Sequence, residues 1–511
     1  MPPIPVPKGG VRPDLDPLEI GFGALSQGQN VVYQDGFFQV RPGPFLYGNN
    51  VAQRVVGYAQ YTMSDETLRT VKGTTTGWWK FNAGTRLWVD ITGAALTGSQ
   101  DNLQVFRIFQ KAGATHLLGQ NGKDSPKKWD GNAAAYSNMA GSPPIARCMM
   151  VLFNYVLMGN LLSGGTVSPT GLDVSAEGNF DAGWGATLTK LLNDTPGPIR
   201  AMLEFDNFTG AIYKSDAVVK VYPQGSSEPF RFEWSKQQMS QAGVNFGPVG
   251  ALAAVALDDG AHAILGEDYA VRLNDGVSLR SMGRAIQKQI SDTANPAIMA
   301  RAFGFYDSEN RKIWFFYPES GRTDCNLAVC IDRDTGAMYP FRWDTLRFGA
   351  AARMYDETGL TIGELIGTIG GQTQTIGSFG QKAPRNFFGE IGGKTYIDIA
   401  TTDDGAAIPF YSETGLQGIG GRKRVTVKSI DHLFKKAPAA QTVTMKLGKS
   451  NYGEERVLDT GDTIDIGSAG PYVTGHRKTG RYFSMRMEGN ATQPVVWRGS
   501  DADVAPRGDR A

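Results

Sequence analysis

Cysteine and histidine are scarce: 511 residues carry three cysteines, Cys148, Cys325 and Cys330, and four histidines. Three thiols cannot build a disulfide framework, and so few soft ligands leave little material for a metal centre. On a shared strand, the odd separation of Cys325 and Cys330 puts them on opposite faces, so buried free thiols are expected. Long apolar runs are missing too. No segment is suited to spanning a bilayer, and Met1–Pro7 leads into Lys8 and glycines instead of a secretory apolar core, so the expectation is a soluble protein made in a cytoplasm. A strong overall charge is also absent, the net being +1. Helix signals are few: Ser278–Asn295, with Ile286 and Ile290, has helical spacing and is stopped by Asn295–Pro296.

What is present is glycine, 65 residues or nearly twice the usual share, without the triplet period of collagen, which implies many tight turns. The stretch Phe303–Trp343 shows the pattern best. Its runs Ala302–Tyr306, Lys312–Tyr317, Cys325–Asp332 and Ala337–Trp343 are aromatic or β-branched, and each ends at Gly, Pro, Asn or Asp. That is an antiparallel meander, and a meander of this size needs copies of itself to bury its faces. Similar runs occur at Gly77–Phe81, Leu87–Ile91, Cys148–Asn154 and Tyr155–Leu161. A loose repeat links His116–Gly131 with His262–Gly276: His, apolar positions, Gly, a polar turn, a strand and Asp–Gly. The two Asp–Gly pairs lie 145 residues apart, which fits three units of roughly 48, a spacing typical of propeller blades.

The predicted fold is therefore mostly β, its units packed around an axis or against each other, the radial form being a β-propeller over 46–420 with room for an insertion around 190–300. An extended arm precedes it over 1–45, where Pro2, Pro3, Pro5, Pro7 and Pro13 remove backbone donors and Asp35–Gly36 makes a hairpin. A sandwich-like β domain follows over 421–511. There Arg424, Thr426 and Lys428 alternate with Val425 and Val427, marking a sheet with one wet face. Ten glycines in 359–395, among isoleucines and few charges, predict a segment that is buried or in a subunit contact.

Apparent chemistry dissolves on inspection. Gly393–Lys394–Thr395 lacks the phosphate-loop glycine, with Phe388 in its place, and Gly21-x-Gly23 is followed by Ser26 where a dinucleotide site needs its third glycine. Asp332-x-Asp334-x-Gly336 reads first as a hairpin turn, with a weak ion site as the alternative. The sialidase turn Ser-x-Asp-x-Gly-x-x-Trp is not met by Ser308–Phe315, which has Asn310, Lys312 and Phe315 at the key places. The acid pairs Asp258–Asp259, Glu267–Asp268 and Asp403–Asp404 cannot be placed at a glycosidase separation from sequence, and the four histidines sit in unlike contexts. No catalytic, cofactor or metal residue is assigned, and no cofactor is expected.

Charge is uneven along the chain. Residues 422–511 hold 16 Lys+Arg against 10 Asp+Glu, leaving the remainder net negative. Arg422–Lys423–Arg424, Lys435–Lys436, Arg477–Lys478 with Arg481, and Arg507 with Arg510 carry this surplus. Three readings stay open for them: ion pairs between subunits, a solvated face, or sequence-independent contact with phosphates.

Gln29–Asn30, Asp35–Gly36 and Val40–Arg41–Pro42–Gly43 resemble the "N…DG…RPG" opening of virion tail proteins from short-tailed bacteriophages. Asn154–Asn160, Tyr306–Pro318, Ile369–Ser378 and Gly480–Arg481–Tyr482 with Arg486 and Trp497 are similar to later parts of the same family, the tail nozzle or hub proteins, also called packaged-DNA stabilisation proteins. The resemblance implies a non-enzymatic propeller protein of which six copies ring the exit channel below the portal and adaptor proteins. The ring would hold double-stranded DNA without reading its sequence and would meet tail fibres or a needle, in a virion tail assembled in the bacterial cytoplasm. It also implies that Arg41–Pro42–Gly43 belongs to an arm anchoring the propeller. Arg41, Arg422, Lys423, Arg424, Arg477, Lys478 and Arg481 are the candidate oligomer-interface or DNA-path residues. Ile369–Ser378 departs from the family in lacking its tryptophan and acidic residues. The competing classes are a receptor-binding or glycan-degrading tail component and a monomeric propeller scaffold.

Overall fold

The computed structural model describes residues 3–163, 166–195, 197–224, 229–234, 245–357, 383–418, 424–451 and 456–506. The chain is mostly β, with 54% of residues in strands and 4% in helices, arranged as many small antiparallel sheets. It divides into two compact units, one of Leu46–Leu327 with Thr345–Ile397, the other of Met1–Phe45, Ala328–Asp344 and Asp398–Ala511.

In the first unit the meander pattern repeats. Five four-stranded sheets follow one another, each with its strands hydrogen-bonded in sequence order. Their first strands are Val55–Thr62, Val105–Lys111, Ile145–Leu152, Ile199–Glu204 and Ala254–Ala256. Further meanders open with Phe303–Asp307 and Phe348–Tyr355. Each first strand packs on that of the next sheet, and Phe348–Tyr355 packs back on Val55–Thr62. The space left for an insertion around 190–300 is filled by two sheets of the same series and by a helix, Arg284–Thr293. That helix is shorter than its predicted span, because Leu279–Ser281 is taken as a strand against Val271–Asn274. It buries Ala285, Ile286 and Ile290, and Asn295 caps the 3₁₀ turn that follows.

Consecutive apolar residues explain the stacking. Leu117 joins Trp78, Phe106 and Trp129 on one side of its sheet, whereas Leu118 joins Val105, Met149 and Met158 on the other. Met149 and Met150, and likewise Met158 and Leu157, divide in the same way between successive cores. These strands are buried on both faces, which is why they read as unbroken apolar runs. The two loosely repeated segments fall on corresponding strands: His116 on Ala114–Gln120, the second strand of the second sheet, and His262 on His262–Leu265, the second strand of the fifth. They are three sheets apart, as their spacing predicts.

The second unit holds two six-stranded sheets. One runs Val31–Gln34, Phe37–Val40, Val496–Pro506, Val425–Phe434, Tyr472–Gly480, with Pro3–Ile4 also on Val496–Pro506. The other runs Leu25–Gln29, Ile408–Thr414, Tyr482–Ala491, Thr442–Ser450, Val457–Leu458, with Asp462–Asp465 on Thr442–Ser450. Val425 and Val427 are buried while Arg424 and Lys428 are exposed, the alternation the sequence predicts. The extended arm expected over 1–45 pairs into both sheets instead of standing outside them. Pro3 pairs with Asp501, Leu25–Gln29 with Ile408–Thr414, and Phe38 with Trp497. Proline keeps the backbone extended and is tolerated at a strand's first residue, so the composition of an arm also suits these short strands. Asp35–Gly36 makes the expected hairpin turn, with φ of 53° and 87°.

The Phe303–Trp343 strands form, but the chain passes from the first unit to the second along Cys325–Asp332. Asp332 Oδ1 accepts from the Asp334 and Thr335 amides at 3.1 and 2.9 Å, the self-bonded turn that accounts for Asp332-x-Asp334-x-Gly336. All three cysteines are buried and free. Of the glycine-rich stretch, residues 358–382, Ile369–Ser378 included, lie outside the described residues.

Two-sided burial makes a direct prediction. A Cβ on Gly119 would run into the Trp78 ring and come within 2.9 Å of Phe106. Gly119→Ala is expected to destabilise the first unit by about 1–3 kcal/mol in urea unfolding, the usual effect of overpacking.

Candidate functional site

Arg41, an interface or DNA-path candidate, is 2% exposed and belongs to neither surface. Its Nη1 and Nη2 bind the two Asp403 oxygens at 2.8 and 2.7 Å. Nε donates to Asn30 Oδ1 at 3.1 Å, and the remaining hydrogens reach the Pro42 and Arg342 carbonyls. All five donors are thus used, and the guanidinium lies 4.4 Å from the Trp343 ring centre. Asn30, at φ 59°, also receives the Arg342 amide and donates to the Pro409 carbonyl. A Cβ on Gly43 would collide with the Thr402 carbonyl. The residues that carry the family resemblance, Asn30, Arg41 and Gly43, therefore form one internal tie between the early and late parts of the chain.

The other candidates do come together. Arg424, Arg477 and Arg481 are exposed and Lys478 is half-buried, on or beside the adjacent strands Val425–Phe434 and Tyr472–Gly480. Exposed Lys428 joins them. Among the described residues none of the five makes an ion pair. Arg422 and Lys423 lie outside the described residues, as do Arg507 and Arg510.

The acid pairs are mostly engaged. Asp403 holds Arg41, Asp268 pairs with Arg272 at 2.5 Å, Glu267 with Arg200 at 2.6 Å, and Asp258 accepts from the Tyr306 hydroxyl at 3.2 Å. Asp258 also borders a cavity of ≈ 700 Å³ in the first unit, ringed by first strands and lined by Gln60, Gln104, Phe305, Arg107 and Arg353. Its cations are already committed: Arg353 to Glu309 at 2.6 Å and to Asn386, Arg107 to the Met202 and Phe106 carbonyls. Gln60 bridges the Tyr355 amide and carbonyl, stitching Val55–Thr62 to Phe348–Tyr355.

The sequence missed one constellation. His432 and His476, in unlike sequence contexts, share a buried chain of hydrogen bonds in the second unit. Trp497 Nε1 donates to Ser500 Oγ at 3.1 Å, and Ser500 Oγ meets His432 Nδ1 at 2.8 Å. His432 Nε2 meets Thr474 Oγ1, which meets His476 Nε2, while His476 Nδ1 lies 2.8 Å from Asp459 Oδ2. With both imidazoles neutral, each hydrogen finds one acceptor from Trp497 through to Asp459. Asp459–His476–Thr474 has the order of an acid–base–hydroxyl relay, but Thr474 is 0% exposed and its oxygen is already shared. The relay holds strands together and cannot reach a substrate. Period-two spacing, Tyr472, Thr474 and His476 all inward, was the available signal.

Burial, with help from the neighbouring His476, pushes His432 down to about 3. Burial likewise pushes His262 down to about 4 in the first unit, where its Nε2 faces the Glu204 carbonyl and its Nδ1 the Tyr213 hydroxyl.

Two outcomes follow. Arg41→Ala leaves the Asp403 carboxylate buried alone and is expected to cost about 3–5 kcal/mol in urea unfolding, whereas Arg41→Met with Asp403→Leu recovers most of it. His432 and His262 have folded values below the ordinary 6.5, so the stabilisation from their neutral forms is complete above pH 6.5 and is lost as pH falls towards 4. Thermal melts should show a loss of up to about 1.4 kcal/mol per pH unit for each histidine, and His432→Gln should flatten the second unit's share. An unchanged slope in that variant would reject the assignment. No protein-family model matches the sequence, and no curated protein matches it.

Proposed function

We propose that this chain is a structural virion protein, a tail nozzle of a short-tailed bacteriophage. In this reading the first unit is a seven-bladed β-propeller and the second a β-sandwich. Six copies form a ring below the portal and adaptor proteins, hold the packaged genome and open for ejection.

The observation that carries the reading is the Asn30–Arg41–Asp403 network. The residues that resemble the family's opening are those that fix the second unit, so the resemblance lies in fold-determining positions. The cyclic packing of first strands supports the propeller, because radial closure protects strand edges as an extended sheet cannot. A ring of identical chains needs heterologous contacts, which two distinct β units on one chain can supply. The cations that line the first unit's cavity, Arg107 and Arg353, are engaged within the chain, which favours structural use over turnover.

Native mass spectrometry with single-particle imaging tests this. A six-fold ring, alone or on addition of portal–adaptor complexes, is the expected result. A persistent monomer under both conditions overturns the proposal, and a trimer shifts the assignment to a receptor-binding or glycan-degrading tail component.

A further inference from the structure

The exposed cations of the second unit stand on a local irregularity that both strands share. Val427 lies opposite Lys478 and Ser429 opposite Gly475, so Lys428 faces two residues, His476 and Arg477. On its other side the same strand pairs Val427 with Val504 and Ser429 with Asp503, which are adjacent, leaving Lys428 as the extra residue. Bulges in neighbouring pairings therefore coincide, and an exposed cation occupies each: Lys428 and Arg477. A bulge re-aims a side chain at local cost. The cost is visible at Arg477, whose φ of 46° lies in the left-handed region that side chains avoid.

Inward neighbours explain how the irregularity is held. His476 is fixed by Asp459 and Thr474, and Val427 is fully buried, so the residues beside them must turn outwards. Arg424 and Arg481, beside the Val425–Gly480 pair, continue the cationic row towards the end of the sheet, whereas Lys478, opposite Val427, shares the face of that buried residue. Asp431 follows on the first of these strands, and the adjoining strand Val496–Pro506 places Asp501 opposite Asp431 and Asp503 opposite Ser429, next to Lys428, so acids flank the row on that side.

We propose that the paired bulges at Lys428 and Arg477, extended by Arg424 and Arg481, form a binding site for the phosphodiester backbone of duplex DNA, without base recognition. A row of cations spaced along two strands suits a row of phosphates, whereas a lone anion needs only one or two donors. The inference rests on the tail-nozzle reading for the identity of the polyanion. It adds the residues that hold it.

The test uses the full-length protein and a labelled random-sequence duplex of about 30 base pairs, titrated by fluorescence anisotropy between about 50 and 200 mM salt. Lys428→Gln with Arg477→Gln should weaken binding at every sequence and reduce the slope of log K against log salt by about 1.8, or about 0.9 per lost phosphate contact. Arg280→Gln with Arg284→Gln, two exposed cations of the first unit, should leave both unchanged. Arg477→Gly removes charge and strain together, so it should raise the melting temperature while weakening DNA binding, a result that misfolding cannot imitate. Equal losses in the control pair, or no loss in the bulge pair, overturn the site. If the bulge pair leaves DNA binding intact but abolishes self-association, the row is a contact between copies and the proposal fails. Ring formation is scored separately: a six-fold ring indifferent to these substitutions sinks this site alone, and DNA binding through them by a monomer sinks the nozzle reading alone.

Discussion

Burial on both faces is the constraint from which the first unit follows. A sheet whose strand places Leu117 on one side and Leu118 on the other cannot end a stack, because either side left bare would expose a large apolar area. Each meander requires a neighbour, and so does that neighbour. The packing of Phe348–Tyr355 on Val55–Thr62 meets this requirement for the first sheet, and the Gln60 amide completes the junction with two hydrogen bonds to Tyr355. Lys72 adds a further tie there: fully buried, it reaches the Gly393 carbonyl and lies over the Trp88 ring. Burial pulls its pKa down to about 7, so its charge is easily given up.

The second unit follows a different rule. Its sheets have one wet and one dry face, and its specificity lies in polar groups sealed between strands. Arg41 and the His432–His476 chain both satisfy every donor, and that condition makes a buried polar network tolerable. The same networks fix what faces outwards. The inward commitment of His476 is what turns Arg477 into solvent.

Strand content and the position of most turns were legible because apolar runs and turn residues act locally. The three-sheet interval between His116 and His262 was legible for the same reason. Their environments were not: His116 is half-buried beside the Ala114 carbonyl, whereas His262 is stacked on Phe205 and fully buried. The role of Arg41 was hidden because Asp403 lies 362 positions away in the chain. Proline-rich composition pointed to an arm, since it reports extended backbone and not whether a partner strand lies alongside. Ser278–Gly283 read as helix because the pairing that claims Leu279 is set by its sheet and not by its neighbours in sequence.

Pairing between early and late strands also sets an order in time. Leu25–Gln29 pairs with Ile408–Thr414, and the Val31–Val40 hairpin joins its sheet through Val496–Pro506, so on the ribosome neither sheet can be completed until nearly the whole chain is made. The five four-stranded sheets between them are complete in sequence by Ser281 and can form as synthesis proceeds. The second unit is therefore the slow, high-contact-order half, and a chain interrupted after residue 400 would carry a stacked first unit and an unclosed second one.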